Sequence, residues 1–261
     1  MELDFTFNTL KKLYAAILAS DYEIVTFAGY LQGKYRHKAV ILRHDVDRFV
    51  TNALKIALLE KEMGVQASYY FRYKKGLDHT VSIMKEISRW GHEVGYHYEV
   101  LAKTGGDRGK AVELFREELK YFREHVEIKT ICMHGSPLSP WDSRKIWETY
   151  NYKDLDLLGE PYFDVDFSRA AYLTDTGRKW NTRHFNIRDQ VNTSFKANFK
   201  NTGDIGAAFQ NHQLPGIVMI NIHPHRWHDS YILWMKEWGL QNSKNRLKHI
   251  LKKTKIKNKE K

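Results

Sequence analysis

Hydrophobic residues along this chain follow two alternating rhythms. Short apolar or aromatic runs at 39–42, 66–73, 93–98, 129–133 and 217–222 read as strands, the last of them broken only by Asn221. Between them, apolar residues recur at helical spacing. Residues 52–63 carry Ala53, Ile56, Ala57 and Leu59 and stop at Gly64, a residue suited to a helix C-terminus. Residues 80–90 repeat the pattern and stop at Gly91, and 107–125 place Val112, Phe115, Leu119 and Phe122 on one side. A further helix is expected over 202–212, capped by Asn201 or Thr202, and a last one from Asp229 onward. Strands and helices in alternation imply parallel strands joined by crossover helices. The stretch 136–201, with Pro137, Pro140, Pro161 and many aromatics, reads as long loops with a few strands. There is no internal repeat and no obvious linker. The pattern predicts one α/β domain over residues 1–243 and a basic tail over 244–261.

Composition narrows the class. With 261 residues, 42% hydrophobic and 28% charged, the chain is long enough to bury a core and too apolar to be disordered. No run approaches the length needed to cross a membrane. Glu2 and Asp4, with no basic region before an apolar run, argue against a secretory leader. The single cysteine, Cys132, cannot form an internal disulfide and fits a reducing compartment, so a cytoplasmic location is expected. The net charge of +11 invites a nucleic-acid partner. Its distribution does not: residues 244–261 carry +8 and leave only +3 for residues 1–243. No nucleic acid is therefore expected. Leu247, Ile250, Leu251 and Ile256 lie among the tail's lysines. Such a segment suits either a solvated helix end or peripheral contact with anionic lipid at the inner membrane surface.

The polar residues with chemistry cluster where apolar strands end. In an α/β barrel, catalytic residues occupy the C-terminal ends of the strands. Here those ends present Asp45 and Asp47, His97 and Glu99, His134, and His223 with His225. Residues two apart on a strand face the same side, and two carboxylates in one pocket repel unless a cation or proton lies between them. A divalent metal held by one, with the other acting as base, resolves this. The same pair could instead cap the helix near Thr51, or pair with Arg43 and Arg48. Gly95 permits close backbone approach two residues before His97, and a neutral His is the commonest ligand for zinc-like metals. Glu99 suits a ligand or an anchor behind one. His223, at the end of the most apolar strand, suits a general acid to a leaving amine. His225 follows Pro224 and is weaker. Trp141, Trp147, Trp180 and Trp227 suit stacking on sugar faces, and equally an aromatic core.

This ordered set of strand-end motifs resembles the polysaccharide deacetylase family, also called the NodB or carbohydrate esterase 4 type. The resemblance implies a distorted (β/α) barrel, a divalent metal (usually zinc), and hydrolysis of N- or O-acetyl groups on sugars. The family's first motif, Thr-Phe-Asp-Asp-Gly, corresponds to Arg43-His44-Asp45-Val46-Asp47, with Val46 inserted. By resemblance Asp45 is the base and Asp47 a metal ligand. This variant resembles a subgroup among surface-polysaccharide biosynthesis proteins. Residues 91–97, Gly-His-Glu-Val-Gly-Tyr-His, resemble the second motif and imply His97 as a ligand. The family's other metal His, four residues later, falls on Leu101. The third ligand is therefore expected from His134 or, alternatively, Glu99. Cys132-Met133-His134-Gly135-Ser136-Pro137 occupies the third motif, where the family offers an Arg to the base, so His134 either replaces that Arg or turns to the metal. Residues 174–180 resemble the fourth region and imply Asp175 and Trp180 at the substrate, with Trp227 nearby. Residues 220–223 resemble the fifth and imply His223 as general acid.

The expected function is removal of an acyl group from a carbohydrate, nucleotide-linked, lipid-linked or polymeric. Two rivals stand beside it. A degenerate barrel could bind carbohydrate without turning it over. Asp-x-Asp also serves metal-dependent glycosyl transfer, which places a nucleotide-binding half before the motif, and here 44 residues precede Asp45.

Overall fold

The computed structural model describes residues 3–74, 76–136, 139–180, 191–196 and 198–257, with side chains described as far as Arg246. In chain order the elements are α1 (Phe7–Leu18), β1 (Glu23–Val25), α2 (Phe27–Leu31), β2 (Ala39–Val46), α3 (Val50–Glu62), β3 (Ser68–Phe71), α4 (Asp78–Arg89), β4 (Glu93–Tyr98), α5 (Val100–Lys103), α6 (Arg108–Arg123), β5 (Ile131–Met133), α7 (Pro161–Asp164), β6 (Ala170–Thr174), α8 (Thr202–Gln210), β7 (Ile217–Ile222) and α9 (Tyr231–Lys257). Short 3-10 turns occur at Ser143–Glu148, Tyr152–Leu155 and Pro224–Arg226.

The strands form one parallel sheet in the order β5-β4-β3-β2-β7-β6, with β1 beside the first half of β2. Helices surround this sheet in a half-barrel of one domain, the expected distorted (β/α) barrel. Sequential pairing from β2 to β5 follows from crossover helices that return the chain beside the strand just made. The strand ends meet because register aligns them: Asp45 pairs with Tyr70, Arg43 with Asn221, and His97 with Cys132. Both central strands are buried along almost their whole length, as expected where helices cover both faces.

Period-two alternation along β2 divides its polar residues between the two faces. His44 faces α3, where its Nε2 lies 2.7 Å from Glu60 Oε1. Tyr14 and Tyr69 donate their hydroxyls to the same buried carboxylate, at 2.6 and 2.5 Å. Every oxygen of this buried charge thus has a partner, which a buried charge requires. The network fixes β2 from behind, and Arg43 and Asp45 point the other way.

The predicted strands at 93–98 and 217–222 have the bounds of β4 and β7, and the predicted helices match α3, α4, α6 and α8 to within a few residues. The strand predicted at 39–42 continues through the polar residues to Val46. The region 136–201 contains α7, β6 and two 3-10 turns among its described residues. The first forty residues supply α1, β1 and α2, which the pattern did not predict. The boundary at 243/244 falls inside α9, where Asn245 is buried and donates to the carbonyl of Gly177 at 3.0 Å. The tail's lysines from 248 on, and its apolar residues from Leu247 on, lie outside the described side chains.

Candidate active site

Four strand ends and two loops converge on one buried cluster. At the end of β2, Asp45 accepts from Arg43 Nε at 2.8 Å and from Arg43 NH2 at 2.6 Å. Asn221 of β7 donates to the same carboxylate at 3.0 Å. Burial alone would raise the Asp45 carboxyl; Arg43, with help from His97, overcomes it and holds Asp45 well below the usual carboxylate range. Asp45 is thus a permanently ionised, oriented acceptor.

Asp47 lies just past the strand, its N–H donating to the Asp45 carbonyl at 3.1 Å. Its Oδ1 is buried without a hydrogen-bond partner. Two imidazole nitrogens face that atom: His97 Nε2 at 3.6 Å and His134 Nε2 at 3.3 Å. His97 Nε2 also lies 3.7 Å from Asp45 Oδ2. Each ring is held by its other nitrogen. His97 Nδ1 donates to the Cys132 carbonyl at 2.9 Å, and His134 Nδ1 lies 2.9 Å from Glu99 Oε2. These partners leave both Nε2 atoms turned inward. Gly95 makes the approach possible, because a Cβ there would stand 2.4 Å from the Tyr70 ring and 3.0 Å from the Thr130 carbonyl.

Asp47, His97 and His134 place their ligating atoms within 4.8 Å of one another. One carboxylate and two imidazoles, each anchored from behind, match the donor set of an open zinc-type site. An orphaned buried oxygen between two inward nitrogens is what a cation would satisfy, so these residues fit a divalent metal. Without one, burial pushes His97 down to about 4, whereas the charges of Asp47 and Glu99 outweigh burial and lift His134 to about 9. Asp45, His97 and Cys132 form a second close group.

At the end of β7, His223 Nδ1 lies 2.6 Å from Asp175 Oδ1, and its backbone N–H donates to Asp175 Oδ2 at 2.9 Å. Arg226 and the Trp227 indole donate to the same carboxylate, both at 2.8 Å. Burial opposes this charge, but Arg226 and His223 bring Asp175 to about 2. An acceptor at Nδ1 fixes the tautomer and frees Nε2 for proton transfer.

Several expectations are corrected. Of the two positions left open for His134, it takes the one beside Asp47; Asp45 is held by Arg43, two residues earlier on the same strand face. The Arg43–Asp45 pair is part of the cluster, and Asp45 caps no helix, since α3 begins at Val50 and its N-cap position, Phe49, carries no side-chain cap. Glu99, the alternative ligand, binds Arg72 at 2.6 Å and His134 at 2.9 Å, and accepts from Ser136. It sits behind His134 as an anchor. Trp180 and Trp227 are wholly buried with Phe5 between α1 and the β7 loop, so neither offers a face to a sugar. Both oxygens of Asp175 are taken up by His223, Arg226 and Trp227. Sequence reasoning missed Asn221, Arg72 and Arg226 as members of the cluster. The signal for Asn221 was its position as the one polar break in the strand.

No family model matches this chain, and no curated protein matches it. Fourteen solved chains do. A CE4 esterase of Streptococcus mutans shares 14% identity, covers 83% of this chain and 83% of its own, and superposes with a TM-score of 0.43. A polysaccharide deacetylase of Bacillus cereus shares 13% over 79% of this chain and 88% of its own, with a TM-score of 0.40. A CE4 family pseudoenzyme of Bacillus anthracis shares 12% over 80% of this chain, with a TM-score of 0.42, and this chain spans 60% of its length. At such identity, what the site does has to be read from this chain's own residues.

Proposed function

We propose that this chain is a metal-dependent hydrolase that removes an N-acetyl or similar acyl group from a carbohydrate in surface-polysaccharide biosynthesis. The observation that carries this reading is Asp47 Oδ1, buried and unbonded between two inward His Nε2 atoms, with Asp45 beside it as an ionised acceptor. Asp47, His97 and His134 would hold the ion, zinc best matching the donors. When bound, a divalent metal supplies Lewis-acid polarisation and makes water a stronger acid.

The protein's own groups do the rest. Arg43 and Asn221 aim Asp45 so that it takes a proton from the attacking water. Its low pKa keeps the acceptor form present across the working pH range, at the expense of basicity. His223, its Nδ1–H on Asp175, delivers a proton from Nε2 to the departing amine, and Asp175 stabilises the imidazolium form while it is charged. Arg226 and Trp227 hold Asp175, so the His–Asp pair cannot swing away from the cluster.

The test is acetate release from N-acetylated amino-sugar oligomers by the zinc-loaded full chain. Release that is lost on chelation, restored by zinc and abolished by Asp45→Asn is expected. A chain that binds zinc and the sugars yet releases nothing, with Asp45→Asn indistinguishable from wild type, would overturn the hydrolase in favour of a binding barrel.

A further inference from the structure

The part of α9 with described side chains is inverted relative to an ordinary surface helix. Apart from Trp234, whose indole N–H donates to the Asp4 carbonyl at 2.6 Å, the residues it turns to the body are polar: Glu237, Gln241 and Asn245, spaced four apart and buried. Arg48 reaches Glu237 at 3.4 Å, Gln241 donates to Asn245 at 2.8 Å, and Asn245 donates to the Gly177 carbonyl at 3.0 Å. The residues turned outward are apolar. Tyr231, Ile232, Leu233, Met235, Trp238 and Leu240 are each 45–66% exposed. A helix that meets only water on its outer side carries the opposite pattern, and a contiguous exposed apolar patch marks an interaction surface.

Charge identifies what covers this face. Lys236, Lys244 and Arg246 are exposed on the same helix, which continues to Lys257, and residues 244–261 carry net +8. A second copy of the chain would bring only the same cations, so its approach gains nothing from them. An anionic lipid surface supplies counter-charge along the whole helix and apolar depth for the outward side chains. Tyr and Trp, with polar edges on apolar rings, suit the headgroup level. No described helix is long and apolar enough to cross a membrane. We propose that α9 lies in the plane of an anionic bilayer surface, inserting Tyr231, Ile232, Met235 and Trp238 while its basic C-terminal half binds headgroups. Because α9 is tied to Arg48, next to Asp47, and to Gly177, two residues from Asp175, the docked helix sets the rim of the cluster at the lipid surface.

Sedimentation of the full chain with vesicles tests this without reference to hydrolysis. Vesicles of phosphatidylcholine alone are compared with vesicles containing about one third phosphatidylglycerol. Binding to the anionic vesicles is expected, weaker by about tenfold or more in raised salt, with a blue shift in tryptophan emission. The triple variant Ile232→Ser, Met235→Ser, Trp238→Ser changes side chains that are each 45–66% exposed; Trp238 also stacks on Trp234, so the variant's fold is checked by circular dichroism. It is expected to lose binding by about tenfold or more. Lys252→Glu with Lys253→Glu, a second test outside the apolar patch, should weaken binding about as strongly. Undiminished binding of the triple variant, or no binding by the wild type, would overturn the proposal. So would a concentration-dependent dimer that the triple variant abolishes, which would assign the face to a second copy.

Discussion

Arg43 and Asp45 stand two residues apart on one strand and close a bidentate ion pair inside the protein, at 2.8 and 2.6 Å. Strand geometry makes this possible, since residues i and i+2 share a face. The pair orients the acceptor without borrowing a residue from another loop. Removing Arg43 leaves a buried carboxylate without its counter-charge, which costs about 3–5 kcal/mol. Arg43→Met is therefore expected to destabilise the fold by that order in urea unfolding. Asp45→Asn in turn leaves the buried Arg43 guanidinium without its counter-charge and is expected to cost stability of the same order. The metal ligands stay in place, and turnover is expected to fall by about 10²–10⁴. Equal stability of Arg43→Met and wild type would show that the pair is not formed.

The metal cluster predicts a graded series. Asp47→Ala, His97→Ala and His134→Ala each remove a ligating atom and should reduce zinc binding, read by titration calorimetry, to near background. Glu99→Gln leaves the ligands in place but loosens His134, whose Nδ1 it holds at 2.9 Å. Loss of such an anchor weakens affinity by about 10–100-fold. Wild-type affinity in His134→Ala would return the third position to another residue.

Asp175 predicts a shared phenotype. It accepts from His223, Arg226 and Trp227 with both oxygens. Asp175→Asn keeps the volume but exchanges one acceptor for a donor facing other donors. Turnover is expected to fall about as far as in His223→Ala, and the double variant should be little worse than either, because the two act as a unit. Additive losses in the double variant would separate their roles.

Much of the fold was legible because the buried β4 and β7 strands are mostly apolar or aromatic and helices α3, α4 and α6 carry their own periodicity. The first forty residues were not. β1 has three residues and α2 five, too short for either period to register. In the site, Asp45, Asp47, His97 and His223 could be found because each ends a recognisable strand. The partners could not. Whether His134 turns to Asp45 or to Asp47 depends on which ring nitrogen Glu99 holds, a contact between residues 35 apart. Arg43 was visible two positions from Asp45, but only the two short bonds from its guanidinium to that carboxylate show what it does.

The buried tryptophans give a prediction opposite to the sugar-stacking expectation. Trp180 donates its indole N–H to Thr202 Oγ1 at 3.0 Å, and its ring lies 6.1 Å from Phe5 and 6.3 Å from Trp227. Truncating such a side chain costs about 3–5 kcal/mol. Trp180→Ala should appear as lost stability, whereas a stacking platform would appear as raised KM in a stably folded protein. Thermal unfolding and saturation kinetics on the same preparation distinguish the two.

Glu160 carries the pH prediction. Its carboxyl is wholly buried, accepting from Met133 N–H at 2.9 Å and Tyr162 N–H at 2.6 Å. Burial outweighs these bonds and raises it from 4.5 to about 7. The folded state therefore holds this proton more tightly than the unfolded state does. Stability from the neutral acid is complete below about pH 4.5, declines as pH rises, and is gone above about pH 7. At 1.36 kcal/mol per unit, the decline amounts to about 3 kcal/mol. His97, lowered to about 4, contributes with the opposite slope between its own limits, so the wild-type profile alone does not isolate Glu160. A comparison with Glu160→Gln does, because His97 is common to both. The amide still accepts from Met133 but meets Tyr162 N–H with a donor, a loss that does not vary with pH. In urea unfolding, the variant should therefore gain on the wild type by about 3 kcal/mol between pH 4 and pH 8. A difference that stays constant across that range would mean that Glu160 does not titrate within it.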